Sequence, residues 1–180
     1  DIFYNSSVKA SLVISPKSPD EVAYSVKLIT SFGFTVIPRG GGMSYTGGYT
    51  PLSNESVIID LRRLNKIVQI NKQDMYVTVE CGVTWKNLYE ELKKKGLRTP
   101  YFGPFSGLYA TVGGALSQNS VFYGSSIYGS AAESVLSLEV ALQNGSILKT
   151  GSASNKIKPS PFFRNYGPDL TGLFLGDTDF

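Results

Sequence analysis

Pro38-Arg39-Gly40-Gly41-Gly42-Met43-Ser44-Tyr45-Thr46-Gly47-Gly48 is the stretch on which the reading of this sequence turns. It follows Phe34 to Pro38, a run of strand character, and precedes a second such run, Val57 to Leu61, reading Val-Ile-Ile-Asp-Leu. Consecutive glycines carry no Cβ, so successive backbone N–H groups can converge on an anion and form a nest suited to a pyrophosphate. Two familiar phosphate loops fail against it. A Walker loop closes on Gly-Lys-Ser/Thr, whereas Gly47 is followed by Gly48. A Rossmann fingerprint begun at Gly40 needs glycine where Tyr45 stands, although Asp60 lies near the spacing of a ribose-binding acid. On these residues alone, a phosphate loop and a plain glycine-rich surface loop both stand.

Upstream, Ser18 is an N-cap, Pro19 fits the first helical position, and Glu21 completes a Ser-x-x-Glu capping box. Val22, Val26 and Ile29 follow on one face and Gly33 ends the run, which predicts a helix over 19–32; with the strands at 34–38 and 57–61 a β-α-β unit is expected. Downstream the pattern changes. Ile67 to Ile70 and Tyr76 to Glu80 read as a hairpin about the polar turn Asn71 to Asp74. Thr84 caps a predicted helix whose Trp85, Leu88, Tyr89 and Leu92 share a face, ended by Gly96. After a loop rich in Gly, Pro and aromatics, Val135 to Leu142 and Ile147 to Thr150 read as strands joined by the turn Asn144-Gly145. The first half is therefore parallel in character and the second antiparallel.

Composition removes several classes of function. With 180 residues, 42% hydrophobic and 17% charged, the chain has the make-up of an ordinary soluble globular domain. The net charge of +3 is too small and dispersed for a nucleic-acid surface; Lys93, Lys94 and Lys95 sit at a helix end, where they suit the dipole. The single cysteine, Cys81, rules out an internal disulfide, a CxxC pair and a chain-borne iron–sulfur cluster. The absence of histidine excludes a Ser-His-Asp triad and histidine-ligated zinc, and no metal site is expected. No apolar stretch approaches the roughly 20 residues of a spanning helix, so no transmembrane segment is expected and the expected location is cytoplasmic.

A second segment, Ala110-Thr111-Val112-Gly113-Gly114-Ala115-Leu116-Ser117-Gln118-Asn119, again pairs glycines with small polar residues. One ligand touched from both halves of the chain would account for two such loops. Together with Tyr123-Gly124 through Tyr128-Gly129, and Leu-Glu-Val-Ala-Leu-Gln-Asn-Gly from Leu138 to Gly145, the order resembles the FAD-binding domain of the vanillyl-alcohol oxidase and p-cresol methylhydroxylase type, shared with glycolate oxidase flavin subunits and D-lactate dehydrogenases. The resemblance runs from Val13-Ile14-Ser15-Pro16 to Tyr166-Gly167-Pro168-Asp169-Leu170-Thr171-Gly172-Leu173-Phe174.

What the resemblance implies is a two-lobed α+β FAD-binding domain: a small parallel β-α-β lobe over 1–70 and a mainly antiparallel lobe over 71–180, truncated before the substrate (cap) domain. It implies an FAD-dependent oxidoreductase that accepts hydride from the CH–OH group of a 2-hydroxy acid or alcohol, with a small-molecule substrate and an unknown electron acceptor as partners. The alternatives are a nucleotide-phosphate-binding module without redox chemistry, or a non-catalytic domain that keeps the fold. The pyrophosphate would be held by Pro38, Arg39, Gly40, Gly41, Gly42, Met43 and Ser44, and by Thr111, Val112, Gly113 and Gly114. The segments from Phe105 and Ser106 to Thr111, and Gln118, Asn119, Ser120 and Val121, would line the flavin and ribityl region. Val140 would meet the adenine end through its backbone.

Departures from the family pattern carry their own expectations. Members that attach FAD through histidine carry that residue where this chain has Met43, so non-covalent FAD is expected. Cys81 reads as a packed thiol, and Arg39 as a support for the loop or a counter-charge for phosphate. No catalytic residue is assigned, because in the resembled family the substrate pocket and proton acceptor come mostly from the cap domain. A further strand of the sheet is expected to begin at Phe180, so the 180 residues are expected to be a fragment or an incomplete gene product that binds FAD weakly or not at all and self-associates through an open edge.

Overall fold

The computed structural model describes residues 7–157, 159–165 and 167–176, and its first layer is a three-stranded parallel sheet. Strands β1 (Leu12–Ile14), β2 (Thr35–Arg39) and β3 (Ser56–Asp60) lie in the order β1-β3-β2, with Leu12 opposite Val57 and Arg39 opposite Asp60. The apolar run 57–59 takes the centre because a strand hydrogen-bonded on both sides is the most completely buried. β1 was not read from the sequence; its three residues are too few for a period to show. Helix α1 (Pro19–Ser31) buries Ala23 and Ile29, the latter against Val57 and Ile59, with Val26, Val36 and Leu61 around them. Its Ser18 hydroxyl accepts from the Glu21 N–H at 3.2 Å, while the Glu21 carboxylate accepts from the Lys17 N–H at 2.7 Å, one residue before the reciprocal bond of a standard capping box.

The rest of the chain builds a second core. The hairpin of β4 (Ile67–Asn71) and β5 (Tyr76–Val79) covers helix α2 (Trp85–Lys94), whose Thr84 hydroxyl accepts from the Asn87 N–H at 3.2 Å. Trp85, Leu88 and Leu92 are buried there with Val83, Tyr101, Val112, Ala115 and Ala131. Tyr89, expected on the same face, is 47% exposed and lies under the Lys93 ammonium at 5.7 Å. At 100° per residue it stands at the margin of the stripe, where an amphipathic ring keeps its hydroxyl in water.

Two short helices, α3 (Val112–Ser117) and α4 (Ser125–Tyr128), occupy what the sequence offered only as loop. The final hairpin pairs β6 (Glu139–Ala141) with β7 (Ile147–Lys149), shorter than the expected 135–142 and 147–150. Pairing changes character at Thr150: its N–H donates to the Leu138 carbonyl at 2.9 Å, but its hydroxyl, not its carbonyl, accepts from the Leu138 N–H at 2.8 Å. This hairpin docks on α1, where Thr30 Oγ1 donates to the Gln143 carbonyl at 3.2 Å and a Cβ on Gly145 would fall 2.8 Å from Lys27 Cβ. The architecture is α+β, with parallel and antiparallel sheets as the sequence implied. Tyr166, and the expected strand start at Phe180, lie outside the described residues.

Asp60, whose spacing suggested a ribose acid, is committed elsewhere. Its carboxylate caps the turn Leu61–Arg63 and takes both Nε (2.9 Å) and Nη2 (2.5 Å) of Arg62. That hydrogen bonding holds the Asp60 carboxyl below the usual carboxylate range, outweighing the burial that pushes it up. Because the folded pKa is depressed, the stabilisation is present above the unfolded value of about 3.9 and is lost as pH falls through the lower folded value. Asp60→Asn keeps an acceptor for the cap but removes the charge. It should cost up to about 1 kcal/mol at pH 7 by urea denaturation, and the difference from the parent should close below about pH 4.

Candidate functional site

β2 delivers the chain into the glycine-rich loop, and the loop lies against the segment that leads into α3. A Cβ on Gly41 would fall 2.0 Å from the Tyr109 carbonyl oxygen, and one on Gly40 would fall 2.4 Å from Thr111 Oγ1. Real Cβ atoms do not come so near, so these two glycines are dictated by contact between two stretches of the protein itself. Gly42 differs: its φ is +67°, and its missing Cβ leaves room for the Arg39 guanidinium. The Gln118 carboxamide, at the end of α3, donates across the gap to Ser44 Oγ and, at 3.3 Å, to Thr46 Oγ1.

An account of backbone donors separates the two glycine pairs. At the start of α3, the Val112 N–H donates to the Val83 carbonyl at 2.8 Å and the Gly113 N–H to the Cys81 carbonyl at 2.8 Å. The Gly114 N–H is taken by the Thr111 hydroxyl at 3.3 Å, which leaves no open donor in the first turn. A Cβ on Gly113 would lie 2.6 Å from Cys81 Cβ, so this pair of glycines lets α3 sit on residues 81–83. In the first loop the N–H groups of Gly41, Gly42 and Met43 meet no protein acceptor among the described residues. Open donors for an anion are therefore concentrated in 41–43.

Between the two segments lies a cleft of about 1240 Å³. This exceeds the roughly 300–1,000 Å³ of drug-sized ligand sites and leaves room for an elongated ligand. Of the residues expected to bind, Pro38, Gly40, Gly41, Gly42, Met43 and Ser44 line one wall. Phe105, Ser106, Thr111, Gly114, Gln118, Asn119, Ser120 and Val121 line the other. Four expected residues do not line it. Arg39 lies behind the loop, 5.9 Å from the Tyr49 ring centroid. Val112 is buried in the second core, and Gly113 packs on Cys81. Val140 is in β6, opposite Leu148; the bonds at Leu138–Thr150 and Leu142–Ser146 put it in the register whose backbone groups face β7.

Thr50, Leu52, Ser53 and Ser117 are among the further lining residues that the sequence reading missed. A signal was available in loop length, because 16 residues separate β2 from β3 and structureless connections that long are usually functional. Among the described residues no Asp, Glu, Lys or Arg lines the cleft, so positive potential for an anion comes from backbone N–H groups and from Arg39 beside Gly42. Phe105 and Tyr123 stand on the lining, 93% and 68% exposed, with ring centroids 5.4 Å apart edge to face. Cys81 lies off the cleft, and burial pushes its thiol pKa up, the direction of an unreactive packed cysteine. Among the described residues no group of three His, Cys, Asp or Glu converges as metal ligands, and no helix is long and apolar enough to cross a membrane.

Comparison with known proteins agrees with this geometry. A family profile described as an FAD binding domain matches residues 10–151. The mitochondrial D-lactate dehydrogenase [cytochrome] of Kluyveromyces lactis is 31% identical over 98% of this chain and 30% of its own length. Glycolate oxidase subunit GlcD of Bacillus subtilis is 31% identical over 91% of this chain and 33% of its own length. Among solved structures, p-cresol methylhydroxylase with substrate bound superposes with a TM-score of 0.80 at 25% identity, over 91% of this chain and 32% of that one. The chain thus spans about a third of the length of these relatives.

The interlock makes a measurable demand. Gly41→Ala must displace the Tyr109 carbonyl and should cost about 2–3 kcal/mol in urea denaturation, the upper range for overpacking. Gly33→Ala, with open space around it and a φ of +78°, should cost about 1 kcal/mol from backbone strain alone. A Gly41→Ala protein as stable as its parent would remove the basis for the interlock.

Proposed function

The chain belongs to the FAD binding domain family, and from that premise we propose that the cleft holds FAD with its pyrophosphate on the open N–H groups of Gly41, Gly42 and Met43. The single observation that carries this is the contrast in backbone donors. In the first glycine loop the N–H groups of Gly41, Gly42 and Met43, residues that line a cleft of dinucleotide size, meet no acceptor among the described residues, whereas the second spends its own on the protein. Arg39, one layer behind, offsets phosphate charge without touching the ligand. Gln118 and Ser44 fix the distance between the walls, and residues 105–106 and 118–121 face the flavin and ribityl end. An adenine end reaching β6 would meet the backbone of Glu139 or Ala141, whose groups alternate outward from those of Val140.

When bound, FAD supplies the acceptor for a hydride from a substrate C–H bond. This chain's residues bind and orient it, and none lining the cleft is an ionised acid or base. The proposed substrates are 2-hydroxy acids or related alcohols, in keeping with the named activities of the relatives. That part concerns the protein as a whole, since the chain spans about a third of those relatives. Attachment is proposed to be non-covalent, because Met43 replaces a linking histidine and Cys81 is packed under Gly113. As to compartment, the cytoplasmic expectation stands beside a relative named as mitochondrial, and cell fractionation decides between the two.

Titration with FAD tests the reading. The bound flavin should show the visible bands of the oxidised ring, and all of it should appear in the supernatant after acid precipitation. Anaerobic addition of D-lactate or glycolate to the full-length protein should bleach the bands. Binding of mononucleotides with no affinity for FAD would favour the nucleotide-phosphate alternative, and flavin retained on the precipitated chain would overturn the non-covalent attachment.

A further inference from the structure

Asn119 stands on the cleft wall with φ at +44°, a left-handed conformation that few residues other than glycine adopt. Asparagine takes it more readily than other non-glycine residues, so what fixes this one in place is its contacts. Asn119 is held from two sides. Its Oδ1 accepts from the N–H of buried Ala132 at 2.9 Å. On the other side Gly176 closes over it: a Cβ there would lie 3.0 Å from Asn119 Cβ, and the Gly176 N–H donates to the Leu116 carbonyl at 3.2 Å.

Both supports lead to Arg164. Its Nη1 donates to the Ala132 carbonyl at 2.7 Å, and its Nε donates to Asp169 Oδ2 at 2.8 Å. Asp169 Oδ1 in turn accepts from the Gly172 N–H at 3.0 Å, which sets the turn from which the chain runs to Gly176. Thr171, fully buried beside it, donates to Thr150 Oγ1 at 2.8 Å and fixes the turn against the last hairpin. One guanidinium therefore ties the two segments that clamp Asn119, and its side chain is only 27% exposed. A planar fork can serve both acceptors at once, which a lysine ammonium cannot do with the same geometry.

Resting on the reading of the cleft as an FAD site, the geometry points to Arg164 as a positioning residue: it holds the 118–121 wall in its ligand-binding form by way of Ala132 and Asn119, and touches no ligand itself. The Arg164–Asp169 pair matters here through geometry, and its partners are backbone groups of the clamp.

The test measures FAD affinity by flavin fluorescence, together with Tm, for the parent, Arg164→Lys, Asn119→Gly and the double variant. Arg164→Lys should weaken FAD binding about tenfold. Asn119→Gly, which accepts the left-handed backbone but loses Oδ1, should weaken it to a similar degree. The double variant should bind no worse than the weaker single one, because both act through one link. A lowered Tm with unchanged FAD affinity, or losses that add in the double variant, would overturn the inference. Should Arg164→Lys fail to fold, Asp169→Asn, which keeps an acceptor for Gly172, replaces it in the same comparison. Failure of the parent to bind FAD would overturn the cofactor reading and this inference with it; a parent that binds, with variants that bind equally, overturns the inference alone.

Discussion

The approach of residues 40–41 to residues 109–111 is the contact on which the remaining architecture depends. The buried residues fall into two clusters, one around Ile29, Val57 and Ile59 and the other around Val83, Trp85 and Leu88. What brings the glycine loop on β2 against the entry to α3 is a backbone contact so close that only residues without a Cβ can make it. The cleft is the space left beside that contact. The Gln118–Ser44 bridge links its two walls.

Two glycine pairs of similar appearance thus do different work. Gly113 and Gly114 open a short helix, yet the carbonyls of Cys81 and Val83 and the Thr111 hydroxyl take the donors that a helix start would offer. Gly41 and Gly42 lie in no regular element, and no acceptor among the described residues takes theirs. An anion is attracted where main-chain donors are exposed and unpaired, and glycine content alone does not say where that is. The absence of charged side chains from the cleft lining fits the same picture: backbone dipoles, with Arg39 behind them, supply the potential while the walls stay polar and uncharged.

The C-terminal part of the described chain works as a brace. Arg164, Asp169 and Thr171 face backbone carbonyls, a backbone N–H and the buried Thr150 hydroxyl, and through them the segment grips the turn at Ala132 and the left-handed Asn119. A wall built on a short helix and irregular chain has few internal hydrogen bonds of its own, so its shape must come from outside.

Local signals carried a large part of the fold. Ser18, Pro19 and Gly33 bounded α1, Thr84 and Gly96 bounded α2, and alternation at 67–79 marked the first hairpin, because caps, turns and hydrophobic periods act over a few residues. The glycine loop and part of the cleft lining were legible for the same reason, helped by a resemblance that covered nearly the whole chain. Other features were decided only when distant segments met. The three residues of β1, the six of α3 and the departure of Tyr89 from the buried face depend on what lies opposite them. The commitment of Asp60 to Arg62, the spent donors at Gly113 and Gly114, and the inward register of Val140 are pairings between particular atoms. Sequence spacing shows which groups could meet a ligand, but whether a protein partner has already satisfied them is a property of the tertiary contact, because a buried donor bonds to whichever acceptor the fold places beside it.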